Sequence, residues 1–163
     1  MDEHAEPVDV SLIVPVERRQ ADPAAIWAEY RAGLDALGCH CEVIFVLDGP
    51  NTKFAAGLKA LDAGPYRITV VSLTRSFGEA TAIMAGFEQA KGQVIVTLPA
   101  YFQIDAAELP KLVGALQKCD LAIARRWPRA GGVFERMRRG AFHGLLEAVT
   151  GLRYHDLGCG ARA

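Results

Sequence analysis

Apolar residues along this chain form short, dense runs, separated by stretches in which they recur every three or four positions. The runs lie at 8–14, 41–47, 68–73, 94–98 and 121–124. Such short apolar runs predict strands covered on both faces, and Pro15 is expected to stop the first. Between the first two runs, Asp22-Pro23 supplies a capping residue and a proline suited to a first helical turn. Ile26, Tyr30, Leu34 and Leu37 then repeat at helical spacing until Gly38. Phe54, Leu58 and Leu61 predict a short second helix. A third is predicted over 78–91, with Ala80, Ile83, Met84 and Phe87 inward. Leu109, Leu112, Val113 and Leu116 mark a fourth, its start blurred by Pro110. Phe142, Leu145, Leu146 and Val149 mark a last one. Strands that alternate with helices predict an α/β three-layer sandwich with a mainly parallel sheet, here one domain over residues 1–163. No apolar run approaches the roughly 18–20 residues that span a bilayer.

Composition adds bounds. A chain of 163 residues, 51% hydrophobic and 23% charged, suffices for one core and excludes a disordered segment. Its start, residues 1–7, is acidic and polar, unlike a secretory leader, so a cytoplasmic location is expected. Cys39, Cys41, Cys119 and Cys159 form no CxxC pair, and Cys39-His40-Cys41 lacks a second ligand pair at zinc spacing, so reduced thiols are expected. The net charge of −1 is unevenly spread. Residues 1–120 carry 10 Lys/Arg against 16 Asp/Glu, and residues 121–163 carry 8 against 3. The basic end is suited to an anion, whereas the acidic remainder speaks against a nucleic-acid partner. Arg125, Arg126, Arg129, Arg136, Arg138 and Arg139 are interleaved with Trp127, Val133 and Phe134, which suits a phosphate headgroup on a lipid or sugar.

Ligands on parallel sheets bind where strands end. No GxGxxG follows the first strand and no GxxxxGK[ST] occurs, which argues against a dinucleotide oxidoreductase and a P-loop NTPase. The strand ends instead carry Pro15-Val16-Glu17-Arg18-Arg19, Leu47-Asp48-Gly49-Pro50, Thr74-Arg75-Ser76-Phe77-Gly78 and Pro99-Ala100-Tyr101-Phe102-Gln103, and the chain closes on Asp156-Leu157-Gly158-Cys159-Gly160-Ala161-Arg162-Ala163.

In order and spacing these segments resemble family 2 glycosyltransferases of the GT-A fold. The closest likeness is to the branch with dolichyl-phosphate mannose synthase and the bacterial undecaprenyl-phosphate sugar transferases. That family reads "SLIVPVYNE", "EIIFVDDGSTD", "LSRNFGKEAALLAG", "MDADLQ" and "GCGLRAF" at the matching places. The resemblance implies a GT-A-like fold and transfer of a sugar from a nucleotide-diphosphate donor to a phosphate-bearing or lipid-linked acceptor, at the periphery of a membrane. It places the donor against Pro15, Val16, Glu17, Asp48, Arg75, Gly78, Pro99, Ala100, Tyr101 and Gln103, with Asp48 on the base. It places the acceptor against Arg125, Arg126 and Arg129, and Asp156 at the reacting centre. It also implies Mg²⁺ or Mn²⁺, because two carboxylates one residue apart can hold a hard cation on the departing diphosphate.

Here the chain departs from the pattern. Pro99, Ala100 and Tyr101 stand where the paired acids belong, Leu47 replaces the first Asp of "DDG", and Arg18-Arg19 replaces "NE". No metal ligand set is legible. The expected substitute is cationic: Arg75 or the Arg18-Arg19 pair, since arginine neutralises a diphosphate with bidentate hydrogen bonds. The alternative is a non-catalytic relative that binds a nucleotide sugar or serves as a scaffold. Family members continue past "GCGLRAF" with further helices, so a partner protein or a second copy is expected to complete the acceptor side.

Overall fold

A computed structural model describes residues 7–125, 132–151 and 159–163. Four strands, β1 (Val10–Val16), β2 (Cys41–Leu47), β3 (Arg67–Ser72) and β4 (Val94–Thr97), form a parallel sheet in the order β3-β2-β1-β4. The helices are α1 (Pro23–Leu37), α2 (Thr52–Lys59), α3 (Glu79–Gln89), α4 (Leu109–Ala115) and α5 (Val133–Thr150). The α/β sandwich with a parallel sheet is the one expected.

Strand pleating sorts the core into two layers. Leu12, Val14, Val16, Val43, Phe45 and Leu47 face one side, against Ile26, Trp27, Tyr30 and Leu34 of α1, Phe54 and Leu58 of α2, and Leu109 and Leu112 of α4. Ile13, Ile44 and Val46 face the other, against Ala82 of α3. As the sequence suggests, α1 starts at Asp22, whose carboxylate accepts from Ala24 N and Ala25 N at 3.0 and 3.2 Å, and ends at a left-handed Gly38. Pro110 lies in the first turn of α4, behind a 3-10 turn over Ala106–Glu108, so it opens that helix instead of breaking it.

Three expectations are corrected. First, β1 runs through Pro15 to Val16 although it is a central strand. The Pro15 carbonyl accepts from Ala100 N on the β4 side, and the ladder to β4 ends at the Ile13–Thr97 pair. The missing N–H therefore falls on the β4 side, beyond the last ladder pair. Second, α3 buries Ala82 and Gly86, while Met84 and Phe87 are 58% and 42% exposed and Ala80 is exposed. A Cβ on Gly86 would stand 2.5 Å from Ile13 Cγ2. The two small residues let the helix lie close on β1 and β2, which turns the large side chains to the flank. Third, the run at 121–124 is no parallel strand. Ala122 and Ala163 exchange both backbone hydrogen bonds, and Arg162 bridges antiparallel to both Thr97 and Ile123. The closing segment thus lies between β4 and that run.

At the edge where the strands begin, buried Glu42 accepts from Ser11 Oγ and from Lys91 N, each at 2.7 Å, and Ser11 Oγ accepts from Gly92 N at 2.8 Å. This network fixes the turn from α3 into β4. All four cysteines are free. Cys41 Sγ lies 3.6 Å from Cys39 Sγ, and burial pushes its thiol up to about 12.

Candidate functional site

The strand order sets where a ligand can enter. From β1 the chain moves to β2 and β3 on one side, and β4 lies on the other, so order reverses between β1 and β4. At such a switch point, the β1–β4 crevice, parallel sheets take their ligands outside the carboxyl ends of the strands. Backbone bonds hold the rims in register: Ala21 N donates to Ala100 O at 2.8 Å, and Leu98 N to Ile13 O at 3.0 Å.

One corner of this edge is built on Asp48, which follows β2. Its Oδ2 accepts from Ser76 Oγ at 2.6 Å and from Gly78 N at 3.0 Å, and its Oδ1 from Phe77 N at 2.7 Å. Loss of solvent pushes this carboxyl up, but the bonds from Ser76, Phe77 and Gly78 outweigh it and hold the group below the usual carboxylate range. Gly78 has φ 95°, which a side chain would strain, and it opens α3. Glu17 approaches the same helix start and accepts from the Glu79 backbone. Loss of solvent and the charges of Glu79 and Asp48 push it above its ordinary value. The approach to the positive end of α3 thus already carries the protein's own carboxylates. Arg75 is exposed, its Cζ 4.8 Å from the Phe77 ring centroid.

The other corner lies at the β1–β4 crevice. Pro99 and Ala100 are buried, and the Tyr30 hydroxyl donates to Pro99 O. Burial raises the Tyr30 phenol well above its usual value, so it remains a donor. Gly160 N donates to Gln103 Oε1 at 2.8 Å, which fixes that amide. Gln103 Nε2 therefore donates to the Tyr101 hydroxyl, at 2.5 Å. Arg19, from the β1–α1 loop, lies over the Tyr101 ring, its Cζ 4.2 Å from the centroid. Among the described residues no carboxylate stands within ion-pair distance of Arg18, Arg19 or Arg75. Beyond Gln103 a cavity of about 630 Å³ opens, lined also by Asp105, Glu108, Lys111, Leu112, Ile123 and Arg125, with Lys111 paired to Glu108 at 2.7 Å.

Sequence reasoning places Pro15, Val16, Glu17, Asp48, Arg75, Gly78, Pro99, Ala100, Tyr101 and Gln103 at strand ends, and the structure puts all of them along this one edge. Pro15 and Val16 are buried in β1, and they reach the edge through backbone: Asp48 N donates to Val16 O at 2.9 Å. Asp156, Arg126 and Arg129 lie outside the described residues. The stack of Arg19 on Tyr101 and the partners of Asp48 were not foreseen. They join residues remote in sequence, and the only signal was polar side chains flanking apolar runs.

The family described as Glycosyl transferase family 2 matches residues 11–159. The chain belongs to this glycosyltransferase family. It is 33% identical over 156 residues to an undecaprenyl-phosphate 4-deoxy-4-formamido-L-arabinose transferase of Edwardsiella ictaluri, covering 94% of this chain and 48% of that protein. Proteins of the same name match from Aeromonas hydrophila (32% over 158 residues; 94% and 48%) and Shewanella sediminis (31% over 163 residues; 98% and 49%). The chain spans about half the length of these curated relatives.

As a family 2 glycosyltransferase domain the chain raises the question of a divalent cation, and the metal corner does not fit one. Pro99 and Ala100 offer no ligand, Tyr101 lies beneath a guanidinium, and no cluster of three His, Cys, Asp or Glu that could hold a metal occurs among the described residues.

Proposed function

We propose that this chain is the donor domain of a transferase that moves a sugar from a nucleoside diphosphate to a phosphate on a lipid-linked acceptor. The observation that carries this reading is the single edge along which Asp48, Arg19, Tyr101, Gln103 and Arg125 follow one another, in a family whose matched relatives are named as undecaprenyl-phosphate transferases. Neighbouring strands lie about 5 Å apart, so a nucleoside diphosphate spans the distance from β2 to the β1–β4 crevice. The base lies near Asp48, whose hydrogen bonds also anchor the loop over 75–78. The sugar points past Gln103 toward the cavity, and Arg125, with Arg126 and Arg129, receives the acceptor phosphate.

In the reaction an acceptor phosphate oxygen attacks the anomeric carbon while that carbon's bond to the donor diphosphate breaks. A phosphate monoester is largely ionised at neutral pH, since its second pKa is about 6, so the nucleophile needs no general base. Asp156 then serves to orient the sugar. The departing diphosphate carries the developing charge, and the site must neutralise it with groups already in place.

The acceptor side faces a membrane surface. α5 exposes Met137, Phe142, Leu145 and Val149 together with Arg138, an amphipathic basic face suited to anionic lipid. None of the helices among the described residues is long and apolar enough to cross a bilayer.

The test is transfer of labelled sugar from a panel of UDP- and GDP-sugars to undecaprenyl phosphate in detergent. Product with one donor, abolished by Asp156→Ala and weakened by Arg125→Ala, is expected. Donor binding without transfer to any polyprenyl phosphate would contradict the reading and leave a nucleotide-sugar-binding scaffold.

A further inference from the structure

Resting on the donor site above, we propose that this domain grips the donor diphosphate without a metal ion, through Arg19 held on the Tyr101 ring and through the Tyr101 hydroxyl. Four observations converge on this crevice.

Topology comes first. The reversal of strand order between β1 and β4 places the loops after these two strands on opposite sides of the switch point, and Arg19 comes from one side, Tyr101 from the other. The second is the orientation of the pair. A guanidinium 4.2 Å from the ring centroid is held by the face of the aromatic ring, which limits its freedom and leaves its N–H donors for a ligand. With no carboxylate in reach among the described residues, those donors are not consumed by an ion pair.

The third is the hydrogen-bond chain behind the ring. Gly160 N occupies Gln103 Oε1, so Gln103 must present its N–H₂ to the phenol oxygen. A hydroxyl that accepts this bond still has its own proton to donate. Tyr101 thus contributes a neutral donor beside the cationic one, and both suit phosphate oxygens.

The fourth is where negative charge cannot go. At the start of α3, Asp48 already accepts the Phe77 and Gly78 N–H groups, and Glu17 and Glu79 stand close by. An added diphosphate there would meet Glu17, Asp48 and Glu79 at close range. The unfilled positive positions at the β1–β4 crevice take it instead. Arg75, beside β3 and two strands from β1, lies too far along the edge to share that role.

Binding of UDP and of GDP, each alone, is measured by calorimetric titration in EDTA and in Mn²⁺. The expected result is that one of them binds in EDTA and that Mn²⁺ leaves its affinity unchanged. Arg19→Ala is expected to weaken it by about tenfold or more, with Arg19→Lys intermediate, since a point charge replaces a bidentate fork. Tyr101→Phe, which keeps the ring and loses the hydroxyl, weakens it a few-fold. Tyr101→Leu weakens it further, and adding Tyr101→Leu to Arg19→Ala costs less than it does alone, a coupling that mere loss of fold would not produce. Uridine or guanosine, lacking the diphosphate, is indifferent to Arg19→Ala. Binding that requires Mn²⁺, or wild-type affinity in Arg19→Ala, overturns the metal-free grip and leaves the donor site standing. No binding of either nucleotide under any condition overturns both.

Discussion

Where the strands begin, Glu42 and Ser11 are buried and their oxygens are met by each other and by the backbone N–H groups of Lys91 and Gly92. Where the strands end, Arg18, Arg19 and Arg75 are exposed, with no carboxylate beside them among the described residues. The same sheet thus carries polar groups at both edges to different ends. A buried carboxylate with satisfied partners closes a turn, and any loss there is a loss of fold. Exposed guanidiniums resting on aromatic rings add little to folding and remain available to an anion. Strand-end polar groups thus divide into those the protein already satisfies and those left open to a ligand.

The largest expected effect lies at the first edge. Glu42→Ala strips an acceptor from Ser11 and Lys91 and should cost about 2 kcal/mol in urea unfolding, with the nucleotide affinity of the folded fraction unchanged. An unaltered midpoint would erase the contrast between the edges. Next is Asp48→Ala, which frees the loop over 75–78 and should cost about 1 kcal/mol, comparable to loss of a helix cap.

The acid limb sharpens this. Asp48 has a lowered pKa in the fold, so its contribution is complete above the ordinary carboxylate range, near pH 4, and fades as pH falls through the lower native value. Wild type and Asp48→Ala should therefore converge in stability at low pH. Glu17 has the opposite sign. Its raised pKa means that ionisation costs stability, and the cost is relieved as pH falls through the raised value. Glu17→Gln should be more stable than wild type at pH 7, and the gain should vanish in acid. A Glu17→Gln variant weaker at pH 7 would show that the carboxylate supports the helix start more than it repels its neighbours. The smallest effect is Arg75→Ala, with stability unchanged and diphosphate affinity shifted by less than about threefold, because the charge is exposed and lies two strands from the crevice.

Much of the fold is legible in the sequence, because β1 and β2 are buried on both faces and show it as unbroken apolar runs. Where reading failed, contact geometry had the deciding role. The inward face of α3 follows from Gly86 lying against Ile13, a fit between a helix and a strand that helical periodicity cannot show. Pro15 can stay in a central strand because β4 stops short of it, a property of the neighbour. The run at 121–124 has the composition of a parallel strand, yet its partner is the segment Ala161-Arg162-Ala163, which carries no strand signature. For the site, the positions were legible and the pairings were not. Asp48 and Tyr101 stand out because they follow apolar runs. Ser76 and Phe77 as partners of the first, and Arg19 as partner of the second, appear only once parallel strands bring distant loops together. The basic cluster is legible as charge alone, and Asp156 lies outside the described residues.

Metal-free binding of the diphosphate is tested most directly by a crystal structure of the domain soaked with whichever of UDP or GDP binds, in the presence of Mn²⁺. The diphosphate is expected in the crevice between β1 and β4, within hydrogen-bond distance of the Arg19 guanidinium and the Tyr101 hydroxyl, with no manganese between them. A diphosphate bridged to the protein by manganese, or one seated at the start of α3 with Arg19 turned to solvent, would contradict it.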